Sequence, residues 1–90
     1  MRGQRVDKNQ AEIVTALRAV GALVILTYRQ GDGCPDAFVW FRGKWTAHEL
    51  KSPTGRLTTG QQILQTQWPG TVYVSRSIDE ALAAIGAQVI

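Results

Sequence analysis

Three side chains of this sequence have types and spacing suited to phosphoryl chemistry: Asp36, Glu49 and Lys51. Asp36 follows the glycine-rich stretch "GDGCP", and Glu49 and Lys51 lie two apart in "HELK". On a strand, residues i and i+2 share a face about 6.6 Å apart, so Glu49 and Lys51 would point the same way and Leu50 the other. Two carboxylates brought close repel unless a cation or a proton sits between them. Mg²⁺ prefers such oxygen ligands and keeps waters and phosphate for its remaining positions. An ammonium beside the pair would orient water or offset charge building on a phosphoryl group. That chemistry is hydrolysis of a phosphodiester by metal-activated water, with no protein nucleophile. The plain alternative is a solvated Asp at a turn and ordinary alternating charges on a strand.

The elements that would position these residues follow from periodicity and turn chemistry. Asp7 and Gln10 have the spacing of a capping box, and Ile13, Leu17 and Val20 recur at helical spacing until Gly21. "LVILTY" over 23–28 reads as a strand, and its unbroken apolar run predicts cover on both faces. "AFVWF" and "KWTAHEL" read as a hairpin around Arg42-Gly43. A turn centred there pairs residues whose numbers sum to 85, and Asp36 with Glu49 is such a pair. Gly31 and Gly33 allow a tight approach at the loop before Asp36, and Pro35 stiffens the entry to its strand. Pro53 and Gly55 break the pattern. Thr58 and Gln61 then open a helix to about Gln67, "TVYV" gives a fourth strand, and Ser77 with Glu80 caps a last helix ending at Gly86. The order is αβββαβα: a small mixed four-stranded sheet flanked by helices, in one domain over 7–90 after a loose lead-in over 1–6.

Glu12 is a third acidic candidate, with the small residues Ala16 and Ala19 on its side of the helix; an exposed helix surface is its plain reading. Gln61 is explained by capping alone. His48 alternates away from Glu49 and reads as packed. Cys34 has no partner at a recognisable spacing and reads as a small, partly buried residue. Trp40, Trp45 and Trp68 could stack on bases, but core or dimer-interface places are the expectation. Arg29, Arg42, Lys44 and Arg56 flank the loops expected near the site and are the candidates for phosphate contacts.

Composition limits the classes. Ninety residues with 44% hydrophobic content make a folded domain with a thin core, which a homodimer interface would enlarge. One cysteine leaves no intrachain disulfide and no cysteine-based zinc site. No run is long enough to span a bilayer, and no secretory signal is visible, so no membrane association and a cytoplasmic location are expected. The net charge is +3 from ten Lys and Arg against seven Asp and Glu. With Glu12, Asp36 and Glu49 gathered on a cation, only Asp7, Asp32, Asp79 and Glu80 remain to offset that basic surface, which suits DNA.

With these stretches in place, "NQAEIVTALRAVGA", "GDGCPD", "HELK" and "GRLTTGQQ" together resemble the PD-(D/E)xK nuclease superfamily. The likeness is to the small stand-alone VRR-NUC-type proteins, including those of phages, and it runs from about Val6 to Ala84. The resemblance implies a restriction-endonuclease-like α/β core and DNA cleavage dependent on Mg²⁺ or Mn²⁺, in the host cytoplasm if the protein is phage-encoded. It implies that Glu12 is the helix-one acid, Asp36 and Glu49 the metal-binding carboxylates, and Lys51 the catalytic lysine. Gln61 would be the glutamine after the core motif, and the Leu50 carbonyl a further metal ligand. Thr59-Gly60 departs from the Pro and acidic residue that relatives often carry, which bears on how the helix starts. A homodimer with two active sites would suit a symmetric branched substrate such as a Holliday junction. The alternative is a non-catalytic DNA-binding module of the same fold.

Overall fold

The computed structural model describes residues 8–27, 30 and 33–87. The lead-in over 1–6, the Asp7 cap, Tyr28, Arg29, Gly31, Asp32 and the tail from Gln88 lie outside the described residues. The elements run α1 (Lys8–Ala19), β1 (Leu23–Leu26), β2 (Ala37–Phe41), β3 (Lys44–Leu50), α2 (Thr59–Gln67), β4 (Val72–Ser75) and α3 (Ile78–Ala84). They form a small α/β domain with one mixed four-stranded sheet and three helices.

Strand order follows chain order, β1-β2-β3-β4; the first three strands are antiparallel and β4 is parallel to β3. The β2–β3 turn has positive φ at both central residues, 51° at Arg42 and 83° at Gly43, as tight hairpins require. Ala37 pairs with His48 and Phe41 with Lys44, so the register carries Asp36 to the level of Glu49.

The strand alternation divides the side chains between two layers. Val24, Ala37, Val39, Phe41 and Leu50 face Ile13, Val14, Leu17, Ala81 and Leu82 of α1 and α3, and together they make the core. Ile13, Val14 and Leu17 are the buried stripe of α1. Gly21, with φ of 94°, turns the chain out of α1 while the Ala22 N–H returns to the Leu17 carbonyl. On the opposite sheet face, α2 is tied down by Gln61 against Glu49 and Trp68 against Phe38.

The expected double cover of β1 is not found. Leu23 is 53% and Ile25 46% exposed, because β1 is an edge strand and α2 covers only the β3 side of its layer. The strand ends at Leu26, and Thr27 pairs onward with Asp36 through a 2.7 Å backbone bond. The caps differ in detail. Thr58 and Gln61 form the full capping box of α2. In α3 the Ser77 hydroxyl accepts the Glu80 N–H, but the Glu80 carboxylate takes the Arg76 N–H instead of closing the box. No helix among the described residues is long and apolar enough to cross a membrane.

Candidate functional site

Asp36 and Glu49 meet where β2 begins and β3 ends. The Leu50 N–H donates to Asp36 Oδ2 at 2.9 Å, which fixes that carboxylate across the two strands. Glu49 is 1% exposed because α2 closes over its strand face. Its Oε1 accepts from Gln61 Nε2 at 2.9 Å, and its Oε2 is buried with no partner. Burial, then the nearby charge of Asp36, with which a protonated Glu49 could share a hydrogen bond, push the Glu49 carboxyl up to about 8; the Lys51 ammonium acts the other way. A buried acid with an unpartnered oxygen beside a second carboxylate lacks a positive charge, and a proton or a cation can supply it.

Gln61 does two jobs at once. Its Oε1 accepts the Thr58 N–H at 2.9 Å while its Nε2 reaches Glu49, so the α2 capping box also orients a carboxyl group of the sheet. The loop before Asp36 is held against the same helix start. Gly33, with φ of 77°, packs on Gly60, and a Cβ at Gly33 would lie 2.6 Å from the Gly60 carbonyl carbon.

Beyond the pair, the end of β3 is anchored by two amides of α1. Asn9 Nδ2 donates to the Lys51 carbonyl at 2.7 Å and to the Arg76 carbonyl at 3.2 Å. Gln10 Nε2 donates to the Leu50 carbonyl at 2.7 Å, leaving that oxygen's second lone pair as its capacity for a cation. Sequence reasoning did not single out Asn9 and Gln10 as anchors. The signal was present, since they precede Ile13 by four and three residues and so lie on the buried side of α1.

Glu12 belongs elsewhere. It is exposed and lines a groove with Ala16, Ala19 and Ile78, between α1 and α3. The helical turn that aims Asn9 and Gln10 at β3 aims Glu12 away from it, so the helix-one acid expected at the site is not there. Among the described residues no three His, Cys, Asp or Glu side chains gather as a metal cluster; the acidic centre is the Asp36–Glu49 pair.

The expected phosphate contacts are also redistributed. Arg42 and Lys44 stand at the hairpin turn, about 17 Å along β2 from Asp36 at the strand rise, so they do not flank the carboxylates. Arg42 lies over the Phe41 ring, 4.8 Å from its centroid. Arg56 is exposed in the loop after Lys51, and that loop is pinned by Arg76, which donates to the Gly55 carbonyl at 2.9 and 3.2 Å. Arg29 lies outside the described residues. His48 is fully buried, 2.6 Å from the Thr46 hydroxyl and stacked on Tyr73; burial lowers its pKa to about 4, so it is neutral. Cys34 is half-buried and free.

Comparison of the chain with known protein families, curated proteins and solved structures returns no match.

Proposed function

We propose that this chain is a metal-dependent deoxyribonuclease with a restriction-endonuclease-like core, Asp36 and Glu49 being its cation-binding carboxylates. The observation that carries the reading is the unpartnered Oε2 of a 1% exposed Glu49 set beside Asp36. Isolated buried carboxylates are costly, and one retained with an open oxygen at the end of a sheet fits a charge-binding site.

The donor set fits Mg²⁺ or Mn²⁺: two carboxylates and the Leu50 carbonyl, all oxygen. When bound, such a cation supplies Lewis-acid polarisation of a phosphoryl oxygen and a lowered pKa for water. The chain's own groups do the remaining work. Leu50 N–H and Gln61 Nε2 each fix one carboxyl group, so neither must reorganise as substrate enters. Lys51, on the Glu49 side of the strand, provides a fixed positive charge towards developing negative charge on the phosphoryl group. Asn9 holds the Lys51 backbone in place from α1. The basic balance of the chain favours a polyanion, and the exposed row Leu23, Ile25 and Trp40 offers apolar surface for the homodimer expected of so small a core.

A second reading has its own observation. The protonated Glu49 can donate to Asp36, and this shared proton alone would satisfy the pair in a non-catalytic DNA-binding module. Cleavage of a four-way junction and a matched linear duplex in Mg²⁺, Mn²⁺ or EDTA separates the two. The nuclease reading predicts cutting that needs metal and is lost in Asp36→Ala. DNA binding by both proteins with no cutting of either form favours the module.

A further inference from the structure

The sheet face that carries Glu49 also carries a notch that none of the carboxylate chemistry uses. Strand β4 starts at Val72 opposite Ala47, so residues 44–46 of β3 run on beyond it. The segment from Trp68 to Thr71 passes beside this overhang and leaves a cavity of about 400 Å³. Three aromatic residues of the Glu49 side line it, Phe38 of β2, Trp45 of β3 and Trp68 just past α2, while Tyr73 of β4 borders it with its ring stacked on His48 of the other sheet face. Trp45 is 51% exposed, and the Phe38 and Trp68 rings pack in a tilted pair with centroids 5.8 Å apart and 31° between their planes. Small residues make the space. Ala47 is the inward neighbour of Trp45 on that strand face, and a Cβ at Gly70 would meet nothing within 4 Å. Lys44, exposed, stands among the lining residues.

We propose that this notch binds an unpaired nucleobase of the DNA strand being cut, which makes single-stranded or branched DNA with an unpaired base, and not intact duplex, the preferred substrate. The inference rests on the nuclease reading and narrows its substrate. Flat aromatic walls recognise any base by stacking, since every base offers a π face. A duplex buries those faces in its own stack, so only an unpaired or extruded base can enter. Lys44, next to Trp45 in the chain and among the lining residues, adds a positive charge at the rim that suits a phosphate. Trp45 and Glu49 lie on one strand face four residues apart, about 13 Å at the strand rise.

The test is binding in EDTA, read by anisotropy of labelled DNA and by quenching of tryptophan fluorescence. The probes are a short oligothymidylate and a blunt hairpin duplex of equal strand length. Trp45→Ala should weaken oligothymidylate binding about tenfold and leave duplex binding unchanged, and Trp45→Phe should recover most of the loss. Circular dichroism checks that both variants are folded, as the exposure of Trp45 predicts. Equal losses for both probes, or none for either, would overturn the proposal. So would a Trp45→Ala variant that loses self-association in sedimentation but keeps its single-strand affinity, because the notch would then belong to a second copy of the chain. Binding in EDTA is independent of cutting. A protein that stacks bases but never cleaves removes the nuclease reading alone, and one that cuts without using Trp45 removes only the notch.

Discussion

Gly33 packs against Gly60 so closely that a side chain at Gly33 would run into the Gly60 carbonyl, whereas a Cβ at Gly60 would stay 3.7 Å from Gly33. This one-sided fit joins the loop leading to Asp36 with the helix start that carries Gln61. Two parts of the site far apart in sequence are thereby set by a backbone contact.

Gly33→Ala should therefore destabilise the protein by about 1–3 kcal/mol, combining a φ of 77° with the clash. Gly60→Ala, at a helical position with room, should be neutral or stabilise by up to about 1 kcal/mol. Urea midpoints of the two variants check the asymmetry. Equal effects would mean that the contact does not constrain the loop.

The outline of this fold was legible because its signals are local. The hairpin turn at Arg42-Gly43 fixes a register, and that register alone carries Asp36 to Glu49. The Thr58–Gln61 box was equally plain, but its second bond, to Glu49, depends on α2 folding back over β3, which no local pattern encodes. Glu12 misled because spacing places a residue on a helix face without saying which face meets the sheet. Asn9 and Gln10, polar residues in line with the buried stripe, were the better guide. Apolar β1 misled for a related reason: a run such as "LVIL" is as compatible with an open edge as with a covered centre, and strand order decides between them. Arg42 and Lys44 were expected at the site, although the same hairpin register puts them at its far end.

The pH dependence of stability has a defined sign. Glu49 titrates near 8 in the fold against an ordinary 4.5, so the folded state holds a proton the unfolded state has lost, and stability falls as pH rises across that window. His48 opposes it. Its pKa is lowered from 6.5 to about 4, so its contribution rises with pH between those values and is constant above 6.5. The metal-free protein should therefore lose stability between pH 6.5 and 8, at up to about 1.4 kcal/mol per unit from Glu49. Glu49→Gln should flatten that slope. Denaturation at pH 6.5 and 8 in EDTA measures it, and an unchanged slope in the variant would assign the titration to another group.

Gln61 can be dissected by keeping one of its two bonds. Gln61→Glu preserves an oxygen for the Thr58 N–H but places a carboxylate against Glu49. Gln61→Ala removes both bonds and should cost about 1–2 kcal/mol. With Mn²⁺ present, Gln61→Glu should retain helix capping, with unfolding midpoints above those of Gln61→Ala, yet cleave DNA at least about tenfold more slowly than wild type. If Gln61→Glu cleaves as wild type does, Gln61 is a cap and nothing more.

Asn9→Leu removes two bonds, to the Lys51 and Arg76 carbonyls, from a half-buried position. A loss of about 1–3 kcal/mol is expected from the orphaned acceptors. Its functional mark should be a fall in cleavage kcat with KM little changed, because the bond places Lys51 rather than holding DNA. A change confined to KM would contradict that role.

The most direct test of the central claim is calorimetric titration of Mn²⁺ into the metal-free protein at pH 7, repeated in two buffers of different ionisation enthalpy. The Asp36–Glu49 site predicts one saturable ion per chain, release of about one proton as Glu49 ionises, and loss of both in Asp36→Asn. Binding that is absent, or that persists with the same proton release in Asp36→Asn, would contradict the assignment of these two carboxylates as the metal centre.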